Sequence, residues 1–316
     1  MEVKVAERRP DATLLSSGGA ARKLADRVAT AGLYAAAGCV ILLVFAIGLA
    51  LVVKSWPVLT GRPLAQVLFS SVWKPSRGEF GFYPFIMGTL WVTVLAMAMS
   101  VPVSLLTAVY LAEYAGRRVR AIAKPLLDLL AGIPSVVFGL CGWLAVVPAV
   151  AAVGEKFGQF TTGLCVLSGA IVLAVMVFPV TIAVCVEVLH SVPLQAREAS
   201  LAVGATHWQT VKHVLLRAVY PGITAAVILG FSRAFGETMA VLMVVGNVPQ
   251  APHSLLDPAY PLPALIANSY GEVMTIPREE SALMLAALIL MVVVIAFNMV
   301  ARVVIRRIHV RMGGAG

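Results

Sequence analysis

Residues 164–187 read LCVLSGAIVLAVMVFPVTIAVCVE, a run whose single formal charge is the closing Glu187. A helix needs about 20 predominantly apolar residues to cross a hydrocarbon core, so this run is long and apolar enough to span a membrane. Pro179 is tolerated within it where neighbouring helices satisfy the carbonyl it frees. Working outward, five further stretches have the same character, at about 30–53, 84–112, 125–150, 219–246 and 281–304. The second contains Pro102. The third is the least regular: it begins at Lys124-Pro125, carries Asp128 and is interrupted at Gly132-Ile133-Pro134-Ser135, which predicts a bent segment or one partly buried in protein. The expected fold is an all-α integral membrane bundle of about six transmembrane helices.

Composition agrees. The 316 residues are 60% hydrophobic and 12% charged, with a mean hydropathy of +0.94, whereas an average soluble domain is about a quarter charged. No soluble fold of this length withdraws so much apolar surface from water, so lipid is the solvent for much of the chain. Cys39, Cys141, Cys165 and Cys185 lie inside apolar runs without ligand spacing. They read as small buried hydrophobes, which argues against metal or disulfide chemistry.

The net charge of +9 takes its meaning from where the charges sit. Alternating the six spans puts seventeen basic residues on one side: Lys4, Arg8, Arg9, Arg22, Lys23 and Arg27; Arg117, Arg118, Arg120 and Lys124; Arg197, Lys212 and Arg217; Arg302, Arg306, Arg307 and Arg311. Six fall opposite: Lys54, Arg62, Lys74, Arg77, Lys156 and Arg278. The positive-inside rule then predicts that both termini are cytoplasmic. The basic excess belongs to topology rather than to nucleic-acid binding.

Residues 1–29 read as a flexible cytoplasmic tail, with the first span a retained anchor rather than a cleaved signal. Residues 30–308 form the membrane domain, and 309–316 a short cytoplasmic tail. On the outer side, Trp56, Trp73, Phe80, Phe82 and Tyr83 suit an interfacial aromatic belt. Pro249, Pro252, Pro258, Pro261, Pro263 and Pro277 mark a stiff outer loop, within which Leu262 to Glu272 fits a short surface helix.

A simple anchor needs only short turns between spans, yet residues 189–218 separate the fourth span from the fifth. They read as helix–turn–helix: Pro193 near a helix start, Gln195 to Ala202 helical, a corner at Gly204, then a second run from His207 to Arg217. A short charged helix parallel to the membrane suits docking into another protein; an amphipathic connector in the headgroup region is the plainer alternative.

The fifth span carries Arg233 and Glu237, four residues apart and so expected on one helical face. Charges inside an apolar helix usually face a bundle interior or a water-filled cavity. Two readings stand. The pair neutralises itself and fixes helix packing, or Arg233 offers two parallel hydrogen bonds to an oxyanion along a substrate path while Glu237 tunes it. Thr238 and Asn247 are candidate donors along the same path, and Gly230, Gly236 and Gly246 fit close helix packing or the ordinary glycine content of membrane helices. His190, His207 and His213 lack metal-ligand spacing and read as polar surface or interface residues.

Two groups of motifs carry a family resemblance. Glu198-Ala199-Ser200, three residues, Gly204, nine residues, then Val214-Leu215-Leu216 resembles the EAA motif of ABC-importer permeases, which forms the coupling helix seated on the ATPase subunit. Arg217 stands where that motif has proline, with Pro221 four residues later. The chain also resembles the C-type permease of phosphate-specific ABC importers at four places: Ser55-Trp56-Pro57; Pro84 with Gly88-Thr89-Leu90; Gly132-Ile133-Pro134-Ser135 continuing to Gly139; and Arg233-Ala234-Phe235-Gly236-Glu237-Thr238-Met239 closing with Val245-Gly246-Asn247. The sister A-type permease shares the EAA motif; Ser55-Trp56-Pro57 and the order of motifs favour the C type.

The resemblance implies a type I ABC-importer permease (MetI-like) bundle, with Glu198, Ala199, Ser200 and Gly204 coupling to the ATPase and Arg233, Glu237, Thr238 and Asn247 at the substrate path. It implies as partners a second, A-type permease subunit, two ATPase subunits that bind the ATP, and an extracytoplasmic phosphate-binding protein. The chain contains no Gly-x-x-x-x-Gly-Lys-Ser/Thr loop, no His-Glu-x-x-His and no Gly-x-Ser-x-Gly, so neither ATP hydrolysis nor a cofactor is expected in it. The rivals are a subunit for another oxyanion such as sulfate or molybdate, an ATP-independent secondary transporter, and an integral-membrane enzyme. A secondary transporter has no use for a docking segment, and an enzyme needs a reactive cluster that the sequence lacks.

Overall fold

A backbone in lipid must satisfy its own polar groups, which favours helices. The computed structural model, which describes residues 17–61, 63–273 and 276–313, is helical nearly throughout. The chain divides after Val53 into two units. The first holds most of α1 (Ser17–Gly61), whose apolar membrane-crossing window has no buried residue, as befits a side-chain surface solvated by lipid. The helix begins at Ser17, within the segment expected to be a flexible tail; residues 1–16 and 314–316 lie outside the described residues.

The second unit opens with α2 (Leu64–Phe69) and a small antiparallel hairpin of β1 (Trp73–Lys74) and β2 (Glu79–Phe80), which sets Trp73 opposite Phe80. Then follow α3 (Tyr83–Val109), extended by a π-helical turn Tyr110–Tyr114, and α4 (Arg117–Gly132). Next come α5 (Ser135–Cys141), a π-helical turn Gly142–Val146, α6 (Val147–Lys156) and α7 (Val166–His190). The loop helix α8 (Leu194–Ala202) precedes α9 (His207–Gln209), which runs through a third π-helical turn, Thr210–Leu215, into α10 (Leu216–Gly236). The chain ends with α11 (Met239–Leu242), α12 (Leu262–Val273) and α13 (Pro277–Gly313).

Six helical segments among the described residues are long and apolar enough to cross a membrane: Asp26–Thr60, Tyr83–Tyr114, Ser135–Lys156, Val166–His190, His207–Gly236 and Pro277–Val303. The fourth is the axis of the second unit, the most buried of the six, with α3 and α10 against it. Val92, Ala96 and Met97 of α3 meet Ala170, Leu173, Ala174 and Val177 of α7 and Ala234 of α10. Small side chains let these backbones approach. A Cβ on Gly230 would stand 3.1 Å from both Met97 Cε and Thr181 Oγ1, so of the three glycines singled out in the fifth span this one serves close packing. Gly236 faces open space at the helix end, and Gly246 lies beyond the helix with φ +93.

Four expectations need correction. The third span starts at Ser135 rather than near 125, because the Gly132 to Ser135 break separates it from α4, an amphipathic helix with no buried residue. The fifth span covers 207–236 rather than 219–246: the second half of the loop is continuous with the span, and Glu237 leaves the helix with φ −73 and ψ 125. Hydropathy followed the apolar residues 239–245, of which Met239–Leu242 form the separate short helix α11 and Ala240, Val241, Val244 and Val245 are buried. Cys165 and Cys185 are buried, but Cys39 and Cys141 are exposed on apolar surface, where lipid makes burial unnecessary. Most of the expected aromatic belt is instead a packed cluster: Trp73 meets Phe80, Phe82 and Phe85 edge-on at 5.6, 5.4 and 4.7 Å, while Trp56 remains exposed.

Within the proline-rich loop, the expected short helix is present as α12. The N–H groups of Val166 and Leu167, orphaned at the start of α7, donate to Asp257 O and Leu255 O at 3.0 and 2.9 Å. Asp257 Oδ2 in turn accepts from the N–H groups of His253 and Ser254 at 2.9 and 2.8 Å.

Candidate functional site

Two places at opposite ends of α10 gather the chain's functional candidates. The first is the corner formed by α8 and α9. Pro193 sets the extended residue before α8, and the helix closes where Gly204 takes a left-handed φ of +85, with its N–H donating to Leu201 O at 2.9 Å. Thr206 then starts α9 through a capping box. Its hydroxyl accepts from Gln209 N–H at 3.3 Å, and its own N–H donates to Gln209 Oε1 at 2.8 Å. This locally specified corner holds Leu194, Leu201, Val203 and Trp208 exposed, together with Glu198 and Ala199. An apolar patch with an acidic member, at a tight corner, is a surface suited to a protein partner.

The inward side of α8 is polar and tied down. Arg197 lies 2.7 Å from Glu113 Oε1, an ion pair whose angles fall short of a hydrogen bond. The Glu113 side chain is 6% exposed and that of Arg197 20%. Arg197 Nη2 also donates to Leu189 O at 3.0 Å. Arg120, reaching from α4, donates from Nε and Nη2 to Leu111 O and Ala112 O at 2.7 and 2.6 Å. Ser200, expected to face the ATPase, turns inward instead, 2.9 Å from Thr210 Oγ1. Glu113, Arg120, His190, Arg197, Glu198 and His207 line a cavity of about 330 Å³.

The second place is the end of α10. Arg233 is exposed on its last turn, Gly236 closes the helix, and Glu237, half-buried, follows in extended conformation. The two charges therefore do not share a continuous helical face. Among the described residues neither side chain forms an ion pair or a hydrogen bond. Glu237 borders a space of about 10 Å³ with Thr89, Thr93, Pro261 and Pro263, about the room of one water molecule. Thr238 and Asn247 are used locally. Thr238 Oγ1 donates to Gly236 O at 3.2 Å, while Asn247, at φ +54, donates from Nδ2 to Leu242 O at 2.8 Å. Asn247 Oδ1 is buried without a hydrogen-bond partner.

Glu113, Arg120 and Arg197 did not stand out as site residues in the sequence. A signal existed: Glu113 closes a long apolar span just before four basic residues. Its partner was hidden by the distance along the chain. Among the described residues no three His, Cys, Asp or Glu side chains are grouped to hold a metal ion.

The chain thus combines six candidate membrane spans, a structured corner at 194–209 and two charges at a helix end. The family of binding-protein-dependent transport system inner membrane components matches residues 100–312, and the chain belongs to it. Relatives narrow the class further. The chain is 36% identical over 239 residues to a probable ABC transporter permease protein, YqgH, of Bacillus subtilis, covering 75% of this chain and 76% of that one. It is 34% identical over 260 residues to the phosphate transport system permease protein PstC of Xylella fastidiosa, covering 78% and 80%. To the PstC of Pasteurella multocida it is 32% identical over 289 residues, covering 87% and 89%. Among solved structures, a bacterial alginate ABC transporter in complex with its periplasmic protein matches with a TM-score of 0.55 at 16% identity, over 72% of this chain and 79% of that one. The MetNI methionine ABC transporter in an inward-facing conformation matches with a TM-score of 0.52 at 19% identity, over 70% and 92%. These structural likenesses establish the fold, a MetI-like importer-permease bundle, which places the chain in the inner membrane as a multi-pass protein.

Proposed function

We propose that this chain is the C-type (PstC-like) permease subunit of an ATP-driven phosphate importer, forming half of the translocation path. The observation that carries the reading is the 194–209 corner, presented with its apolar and acidic face outward, in a chain at least 30% identical to phosphate permeases over most of its length. The corner lies on the cytoplasmic side with both termini, and Glu198 and Ala199 sit in a groove of an ATPase subunit. ATP binds to two such subunits and not to this chain, which supplies no hydrolytic group. A second, A-type permease completes the bundle, covering part of the apolar surface this chain leaves open, and an extracytoplasmic phosphate-binding protein delivers the substrate.

Within the path, Arg233 receives an oxyanion from the binding protein's side, its planar fork matching two phosphate oxygens. Glu237, beyond the break, limits how long the arginine holds that anion. Closure of the ATPases on ATP moves the corner and switches the bundle from inward- to outward-facing. The test is co-purification of the ATPase subunits with this chain, in wild-type form and as Glu198→Lys. The reading predicts a stable complex whose ATPase is released or uncoupled from uptake by the variant. Phosphate uptake indifferent to Glu198→Lys would contradict it and raise the secondary-transporter alternative.

A further inference from the structure

Helix α8 buries none of its residues fully; Ala196 packs against the apolar cluster at the span ends, and its other inward attachments are polar. We infer that the Glu113–Arg197 ion pair and the Ser200–Thr210 contact are positioning ties that carry displacement of α8 into the second and fifth spans. This rests on the docking role proposed above for the same helix.

The geometry points there for four reasons. First, a single guanidinium joins three elements: Arg197 on α8, Glu113 in the turn that ends the second span, and Leu189 O at the end of α7. Second, Glu113 is nearly fully buried, and a buried carboxylate keeps its charge and place only beside a counter-charge. Moving α8 without moving the 110–114 turn would strand that charge, so the two shift together. Third, both ties end on π-helical turns, 110–114 and 210–215, which are two of the three among the described residues. Such turns interrupt the α-helical hydrogen-bond pattern, and a long helix can bend or shift register at them. Fourth, the turns are backed rather than loose. Arg120 holds the carbonyls of Leu111 and Ala112, and Leu111, Ala112, Leu189 and Val211 share one apolar cluster. A push on α8 therefore reaches the ends of the second and fifth spans through one short ion pair and one hydroxyl contact.

The experiment uses the reconstituted complex of this chain with its companion permease, ATPases and binding protein. It reads phosphate moved per ATP hydrolysed. Glu113→Gln is expected to lower that ratio roughly tenfold, the scale of one lost charge-assisted contact, while ATP turnover persists. Ser200→Ala is expected to lower it about twofold, as for a neutral hydrogen bond. The exchange Glu113→Arg with Arg197→Glu is expected to restore most of the ratio, which a residue with a merely structural role would not do. An assembled Glu113→Gln complex with an unchanged ratio, or an assembled exchange that fails to restore it, overturns the proposal. Failure of both Glu113 variants to assemble also overturns it, marking the pair as a folding contact only. Absence of ATP-driven uptake in the wild-type complex overturns the docking reading itself, a result distinguishable from loss of the ties alone.

Discussion

The two charged sites of this chain end their helices in opposite ways. At the 110–114 turn, the carboxylate of Glu113 is buried, faced by Arg197 and backed by Arg120 on the neighbouring carbonyls. At the end of α10, Arg233 is exposed and Glu237 half-buried, and among the described residues neither side chain finds an ionic or hydrogen-bonding partner. Charge that is paired and dry holds elements in a fixed relation, because separating it is costly. Charge left at a helix break in a membrane protein is set toward something outside the chain: water, a substrate or another subunit. The first site is a joint and the second an open end; on the function proposed above, force enters at the one and substrate passes at the other.

That contrast can be broken most sharply at the joint. Arg197→Ala leaves Glu113 buried without its counter-charge and is expected to destabilise the protein by about 3 kcal/mol, read as a lower unfolding midpoint of the purified complex. Arg233→Gln should do the reverse: stability stays within about 0.5 kcal/mol of wild type, as for an exposed substitution, while phosphate uptake falls. The fall should be roughly tenfold, as for loss of a charged hydrogen-bond donor. Equal destabilisation by the two substitutions would erase the distinction between joint and open end. The smallest expected effect is at the corner itself. Thr206→Ala removes the cap of α9 and should cost about 1 kcal/mol, detected as faster hydrogen exchange at the Gln209 amide with little change in uptake.

Much of the architecture was legible because lipid makes hydropathy a strong signal. The stretch at 164–187 is the helix Val166–His190, the corner at Gly204 is real, and the loop helix Leu262–Val273 lies where the sequence put it. Legibility failed where apolar residues do not mean a span. Residues 239–245 are as greasy as any helix, yet the chain leaves the helix after Gly236, and Arg233 and Glu237 part company there. At the 194–209 corner, local rules placed the turn at Gly204, but the inward turn of Ser200 toward Thr210 depends on how α8 packs against the 210–215 turn. Glu113 and Arg197 meet only through the fold, and no spacing rule connects residues on different helices. Asn247 was readable as polar, but not as a left-handed residue holding the Leu242 carbonyl.

The most direct test of the central claim is uptake of radiolabelled phosphate into proteoliposomes holding the assembled importer, with and without ATP on the ATPase side, in competition with sulfate and molybdate. The account predicts uptake that requires ATP and the binding protein and is displaced by unlabelled phosphate far better than by the other two oxyanions. Phosphate movement that proceeds without ATP would contradict it.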